Sequence, residues 1–126
     1  ISLVKLSPGV CEKLEGIDLA RKLVEAALDK QASNIALLDV RKICSYTDYI
    51  ILCNAESTPQ LAAILKEMEG FSKKEGFRPR TEGDSDSGWI LLDLGEIVVH
   101  VLSPTEREYY KLDELWNEAQ TLVKIQ

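Results

Sequence analysis

The chain has 126 residues, 45% hydrophobic and 29% charged, the composition of one ordinary globular domain that buries roughly two thirds of its unfolded surface. Its formal net charge is −6, and no stripe of Lys and Arg is visible of the kind that neutralises a nucleic-acid backbone. Little direct nucleic-acid contact is therefore expected; were the partner a ribonucleoprotein, this charge would favour one of its basic proteins.

Cys11, Cys44 and Cys53 form no Cys-x-x-Cys pair, and His100 is the one histidine, so a Cys/His zinc site is not expected. Their odd number speaks against a disulfide framework and for a reducing compartment, with Cys53 buried in an apolar run. No apolar run approaches the roughly twenty residues of a membrane-spanning helix, and no signal-peptide pattern is read at the start. The bacterial cytoplasm is the expected location, with an organelle as the alternative.

Residues 1–16 lack sustained periodicity, and Pro8-Gly9 signals a turn. They are read as an extension before a single domain over residues 17–126. From Ile17 the pattern is helical, with Ile17, Ala20, Val24, Ala27 and Leu28 on one face and Asp18 suited to the helix start. Residues 34–40 predict a strand, apolar on both faces and hence central in its sheet. A second strand is expected over residues 48–54. Thr58 is placed to cap the next helix, with Pro59 in its first turn; Leu61, Ile64, Leu65, Met68 and Phe71 carry it, and Gly76 ends it.

Residues 77–82 predict a strand that Pro79 assigns to an edge or a bulge. A solvated loop follows over residues 83–88. Two strands, residues 89–94 and 97–102, are joined by a tight turn at Gly95. Pro104 ends the second, and a final helix is predicted to carry Leu112, Leu115, Trp116, Ala119, Leu122 and Val123. The predicted fold class is α/β (α+β), a mixed sheet of about five strands flanked by helices.

The strongest candidate for chemistry is Ser45-Tyr46-Thr47-Asp48-Tyr49-Ile50-Ile51. In outline it resembles the nucleotidyltransferase motif, in which carboxylates at i and i+2 share one strand face and hold two metal ions. Here Ile50 stands where the second carboxylate belongs, and no glycine–serine loop is present to hold phosphates. Asp48 is read as a residue that begins a strand. Asp93 and His100 form a conceivable proton-transfer pair across the hairpin, but no nucleophile or activating turn accompanies them. His100, between Val99 and Val101, is read instead as a neutral structural group with Asp93 as its natural hydrogen-bond partner. Gly83, Gly88 and Gly95 lack phosphate-loop spacing, and Glu82, Asp84 and Asp86 lack that of a calcium loop. The residues point to binding rather than catalysis, without a metal or cofactor. Trp and Tyr supply much contact area at low rotamer cost. Trp116 sits on an apolar stripe and reads as core, whereas Trp89, directly after the polar loop, is the better interface candidate. Tyr110 and Leu112 lie between strand and helix.

Several segments occur together as an ordered set. They are Ile35-Ala36-Leu37-Leu38-Asp39-Val40, Thr47-Asp48-Tyr49-Ile50-Ile51, Ser57 with Gln60, and Glu82-Gly83. The run Trp89-x-x-x-Asp93-x-Gly95-Glu96-Ile97-Val98-Val99-His100 and the ending Arg107-x-x-Tyr110-x-Leu112-x-x-Leu115-Trp116 complete it. With these separations, over residues 17–116, the chain resembles the ribosomal silencing factor family, also called the Iojap or RsfS family. The resemblance implies a compact fold similar to nucleotidyltransferases but without their active site, which agrees with Ile50. It implies a translational regulator, not an enzyme, that binds the large ribosomal subunit through ribosomal protein number fourteen. Occupying the face that meets the small subunit would sterically block joining and repress translation when nutrients are scarce; organelle members aid large-subunit assembly. The partner-binding residues implied are Trp89, Asp93, His100, Tyr110 and Leu112. Members often self-associate, so a homodimer is compatible with this reading. Asn54-Ala55-Glu56, where members often have a glycine-containing turn, and the extension before Ile17 depart from the pattern. The competing readings are a nucleotidyl-transfer enzyme centred on Asp48 and a homodimeric scaffold using a sheet edge.

Overall fold

A computed structural model describes residues 16–126. Helix α1 (Gly16–Asp29) leads into strands β1 (Ser33–Asp39) and β2 (Tyr49–Asn54), then helix α2 (Thr58–Lys74). Strand β3 (Arg80–Glu82), a single 3-10 turn over Ser85–Ser87, and strands β4 (Trp89–Asp93) and β5 (Ile97–Leu102) follow. Two short helices, α3 (Pro104–Tyr110) and α4 (Leu112–Leu115), precede strand β6 (Gln120–Ile125). The extension expected over residues 1–16 lies outside the described residues except for Gly16, the first residue of α1. Among the described residues no helix is long and apolar enough to cross a membrane.

The strands form one six-stranded mixed sheet in the order β3-β4-β5-β2-β1-β6. Only β2 and β5 run parallel; every other neighbouring pair is antiparallel. The period-2 geometry of each strand sorts its side chains onto two faces. Ile35, Leu37, Ile51, Cys53, Ile90, Leu92, Val99 and Val101 pack beneath α1 and α2, joining Leu19, Leu23, Leu61, Ile64 and Met68 in the main core. The opposite face carries Ala36, Leu38, Ile50, Leu52 and Leu102, covered by Leu112 and flanked by Trp89 and Trp116. β1 and β2 are apolar on both sides because both sides are largely buried, and β5 leaves its second face partly open at Val98 and His100.

Helix α2 is fixed at its start by two motif residues. The Ser57 hydroxyl, not Thr58, is the N-cap and accepts from the Gln60 amide at 3.2 Å. The Gln60 side chain accepts from the amide of Glu56, one residue before the cap, and donates to the carbonyls of Lys30 and Gln31 at 3.1 and 2.8 Å, a variant of the capping box that also staples α2 to the turn after α1. Pro59 occupies the first turn, and Gly76 follows the helix end at φ +90. Strand β3 is shorter than predicted: residues 77–79 stay outside it, in keeping with the missing N–H of Pro79 and the edge position of β3.

The sixth strand replaces the predicted final helix. α3 stops at Lys111, which adopts a left-handed conformation (φ 50, ψ 47); α4 lasts four residues; and residues 120–125 turn back to pair with β1. Leu112, Leu115, Trp116, Ala119, Leu122 and Val123 mimic a helical stripe only because α4 supplies the first of them and β6 the last. Thr121 and Val123 are β-branched and suit a strand. Pairing β6 with β1 shields an edge that would otherwise expose Ile35 and Leu37, both fully buried.

Candidate functional site

The face opposite α1 and α2 is only partly roofed, and the β4–β5 hairpin shapes its open part. At the hairpin tip the Asp93 carboxylate accepts from the Gly95 amide at 2.8 Å, and Leu94 N–H donates to the Ile97 carbonyl at 2.9 Å. Gly95 holds φ +88, which favours glycine, so Asp93 and Gly95 together set the turn. Asp93 is therefore committed to the turn and is not the partner of His100. Register gives the reason: Asp93 lies opposite Val98, whereas His100 lies opposite Leu91.

His100 instead accepts at Nδ1 from the indole Nε1–H of Trp89, 3.1 Å away. An accepting Nδ1 places the proton of the neutral ring on Nε2. Burial pushes the imidazole pKa down to about 4, which keeps it neutral at neutral pH. The Trp89 ring lies 4.8 Å from that of Tyr110, which meets Tyr109 edge-on at 4.9 Å. Trp89 is thus oriented from two sides: His100 holds its N–H and Tyr110 packs on its ring. The preceding loop supports it as well. Gly83 has φ +89, and a Cβ there would lie 2.5 Å from the Trp89 carbonyl, so Glu82-Gly83 requires glycine at its second position.

These side chains border a groove of about 510 Å³. Trp89, Asp93, His100 and Leu112 line it, and Tyr110 stands behind Trp89, so the five residues named from the sequence lie on one face. Leu112, 4% exposed, packs from α4 onto the sheet at the edge of the groove; burying such a side chain is worth about 2 kcal/mol. Trp116 packs against the small core, as expected, but also lines the groove, and its buried Nε1–H has no acceptor among the described residues. The residues missed were Tyr46, Ile50, Glu82, Leu91, Gly95, Val98 and Leu115. Leu91 and Val98 carried a signal, since strand alternation puts them beside Trp89, Asp93 and His100. Tyr46 and Leu115, 72% and 65% exposed, came from a loop and a helix that cross the sheet from far along the chain. Glu82 and Asp93 supply carboxylates, and among the described residues no Lys or Arg lines the groove. It can accept an apolar side chain accompanied by a cation.

Of the other candidates, Asp48 does not line this groove, whereas Ile50 does. Asp48 precedes β2, its amide donating to the Glu96 carbonyl at 2.9 Å and its own carbonyl accepting from Val40. Ile50, in the position of a second carboxylate, is 1% exposed within the small core. Among the described residues, no group of three or more His, Cys, Asp or Glu could hold a metal ion. Cys53 is fully buried, and burial pushes its thiol up to about 12.

Arg107 was quoted from the sequence only as part of a pattern, and the structure gives it a place. Its guanidinium is 9% exposed as a residue and meets both Asp113 oxygens at 2.9 Å. It also donates to the Asn34 carbonyl and, at 3.0 Å, to Asn54 Oδ1. Asp113, on α4, has its carboxyl pKa held low, chiefly by this hydrogen bonding to Arg107.

The chain matches the family model described as ribosomal silencing factor during starvation over residues 13–126. It is 35% identical over 106 residues to the ribosomal silencing factor RsfS of Halalkalibacterium halodurans, covering 83% of this chain and 91% of that protein. The RsfS of Bacillus subtilis is 38% identical over 100 residues, with 78% and 85% covered. A crystal structure of a protein from Chromobacterium violaceum superposes with a TM-score of 0.79 at 30% identity, covering 82% of this chain and 88% of that one.

Proposed function

The chain belongs to the ribosomal silencing factor family, and we propose that it represses translation by binding the large ribosomal subunit and keeping the small subunit from joining. The family is named for silencing and not for a reaction. In this reading residues 17–126 act as one domain in the bacterial cytoplasm. The partner is ribosomal protein number fourteen, and the mechanism is steric exclusion, requiring no cofactor. The single observation that carries the reading is the groove beside Trp89. It is an apolar recess with Glu82 and Asp93 at its margin and, among the described residues, no cation, suited to a basic protein surface that presents an apolar side chain. Trp89, Asp93, His100, Tyr110 and Leu112 are the proposed binding residues. Trp89 supplies contact area, Leu112 backs the groove from the small core, Tyr110 and His100 orient Trp89, and Asp93 shapes the turn and contributes charge.

The test mixes the purified chain with isolated large subunits, adds small subunits, and follows joining on a density gradient. Co-sedimentation with the large subunit and fewer joined ribosomes are expected, both reduced by Trp89→Ala. A chain that stays at the top of the gradient while joining proceeds normally would overturn the proposal.

A further inference from the structure

Of the two short helices, α4 lines the groove through Leu112 and Leu115, and α3 leads into it. α3 is anchored at its start, where the Ser103 amide donates to the Gly88 carbonyl at 2.9 Å and the Ser103 hydroxyl caps the Glu106 amide at 3.1 Å. At Lys111 the backbone turns left-handed, so α4 does not continue the direction of α3. Leu112 and Trp116 fix α4 by apolar contact. One side chain bridges the rest: Arg107 reaches from α3 to the Asn34 carbonyl on β1, to Asn54 on β2 and to both oxygens of Asp113 on α4. A guanidinium presents its donors in a rigid planar fork, so these bonds set direction as well as distance.

We propose that Arg107 is a positioning residue for partner recognition: its fork, locked onto Asp113, sets how α4 lies over the sheet and thereby places Leu112, Leu115 and Trp116 along the groove. Arg107 does not itself line the groove, and neither does Asp113, whose side chain is 62% exposed. Their effect on binding passes through the wall they hold. The proposal rests on the reading of the groove as the ribosome-binding site, but the geometry it asserts has a readout of its own. The chain has two tryptophans, and both Trp89 and Trp116 line the groove, so tryptophan emission reports on this face.

The deciding variant is Asp113→Ala, which removes the partner of the fork from an exposed position; Asp113→Glu is its conservative control. Expected for Asp113→Ala are easier quenching of tryptophan by acrylamide and binding to large subunits weaker by about tenfold. The thermal midpoint should hold within a few degrees, and Asp113→Glu should recover part of both losses. Quenching and affinity equal to the parent's would overturn the proposal. So would losses no larger than the fraction unfolded explains, because Arg107 would then serve stability alone. Arg107→Gln should exceed Asp113→Ala on both readouts; should it fail to fold, the Asp113 variants decide. If the parent chain itself does not bind large subunits, the proposed function falls, and quenching alone still accepts or rejects the positioning role.

Discussion

At His100 one ring nitrogen is engaged by the Trp89 indole and the rest of the imidazole is buried in the face of the sheet. A proton added to Nδ1 would abolish its acceptor and place a charge in apolar surroundings, which is why burial lowers the pKa from 6.5 to about 4. The consequence for stability follows from proton counting. Between those two values the unfolded chain holds the extra proton and the native one does not, so stability declines as pH falls through that window. The largest loss is about 3 kcal/mol, reached near pH 4. Asp39 and Asp113, whose pKa values are lowered chiefly by hydrogen bonds from Arg41 and Arg107, lose their contributions only at lower pH, from the ordinary carboxylate range downward. His100→Asn should therefore flatten the slope of stability between about pH 6.5 and 4, as measured by urea unfolding at several pH values. Equal slopes in parent and variant would show that His100 does not titrate as described. Alternation made it legible that Trp89, Asp93 and His100 share a face. The partner of His100 was not legible, because it depends on cross-strand register, and register put Asp93 beside Val98.

At the level of elements, α1 and α2 follow from sustained helical periodicity, β1 and β2 from short uninterrupted apolar runs, and the β4–β5 hairpin from the glycine at its turn. The last third of the chain does not. Its apolar spacing fits one helix, and nothing local announces that Lys111 turns left-handed or that residues 120–125 seek the open edge of β1. The contacts of Arg107 are as hidden, for they join it to residues 73 and 53 positions away. Ser57, Gln60, Gly83 and Arg107, prominent in the family pattern, prove to be residues that hold elements together. The joint at Lys111 makes a direct prediction. A side chain in the left-handed region costs about 1 kcal/mol relative to glycine, partly offset by the greater freedom of glycine in the unfolded chain. Lys111→Gly should stabilise the fold by about 0.5 kcal/mol, and Lys111→Val should destabilise it by more than 1 kcal/mol, roughly, because a β-branched residue resists that conformation. Denaturant midpoints measure both. A destabilised glycine variant would mean that Lys111 contributes through its side chain rather than through its backbone.

For the whole molecule the decisive quantity is the sign of its charge. A chain of net charge −6 that approaches a particle rich in RNA meets repulsion from phosphates and attraction only from basic protein. Its groove carries the same sign in miniature, with Glu82 and Asp93 and, among the described residues, no cation. Association should therefore respond to salt unlike that of a nucleic-acid binder. A protein that neutralises six to ten phosphates loses roughly three to five decades of affinity between 50 and 200 mM salt, because each contact releases condensed counterions. On the proposed reading the groove meets protein and neutralises no phosphates, so that added salt screens the attraction to basic protein and the repulsion from RNA together. The expected change over the same range is below about one decade. Removing a carboxylate by Glu82→Gln should make the salt dependence shallower still, whereas Trp89→Ala should lower affinity equally at every salt concentration, since it deletes contact area rather than charge. Sedimentation with large subunits at graded salt measures all three curves. A loss of several decades would point to direct binding along RNA and overturn the assignment of the groove to a protein partner.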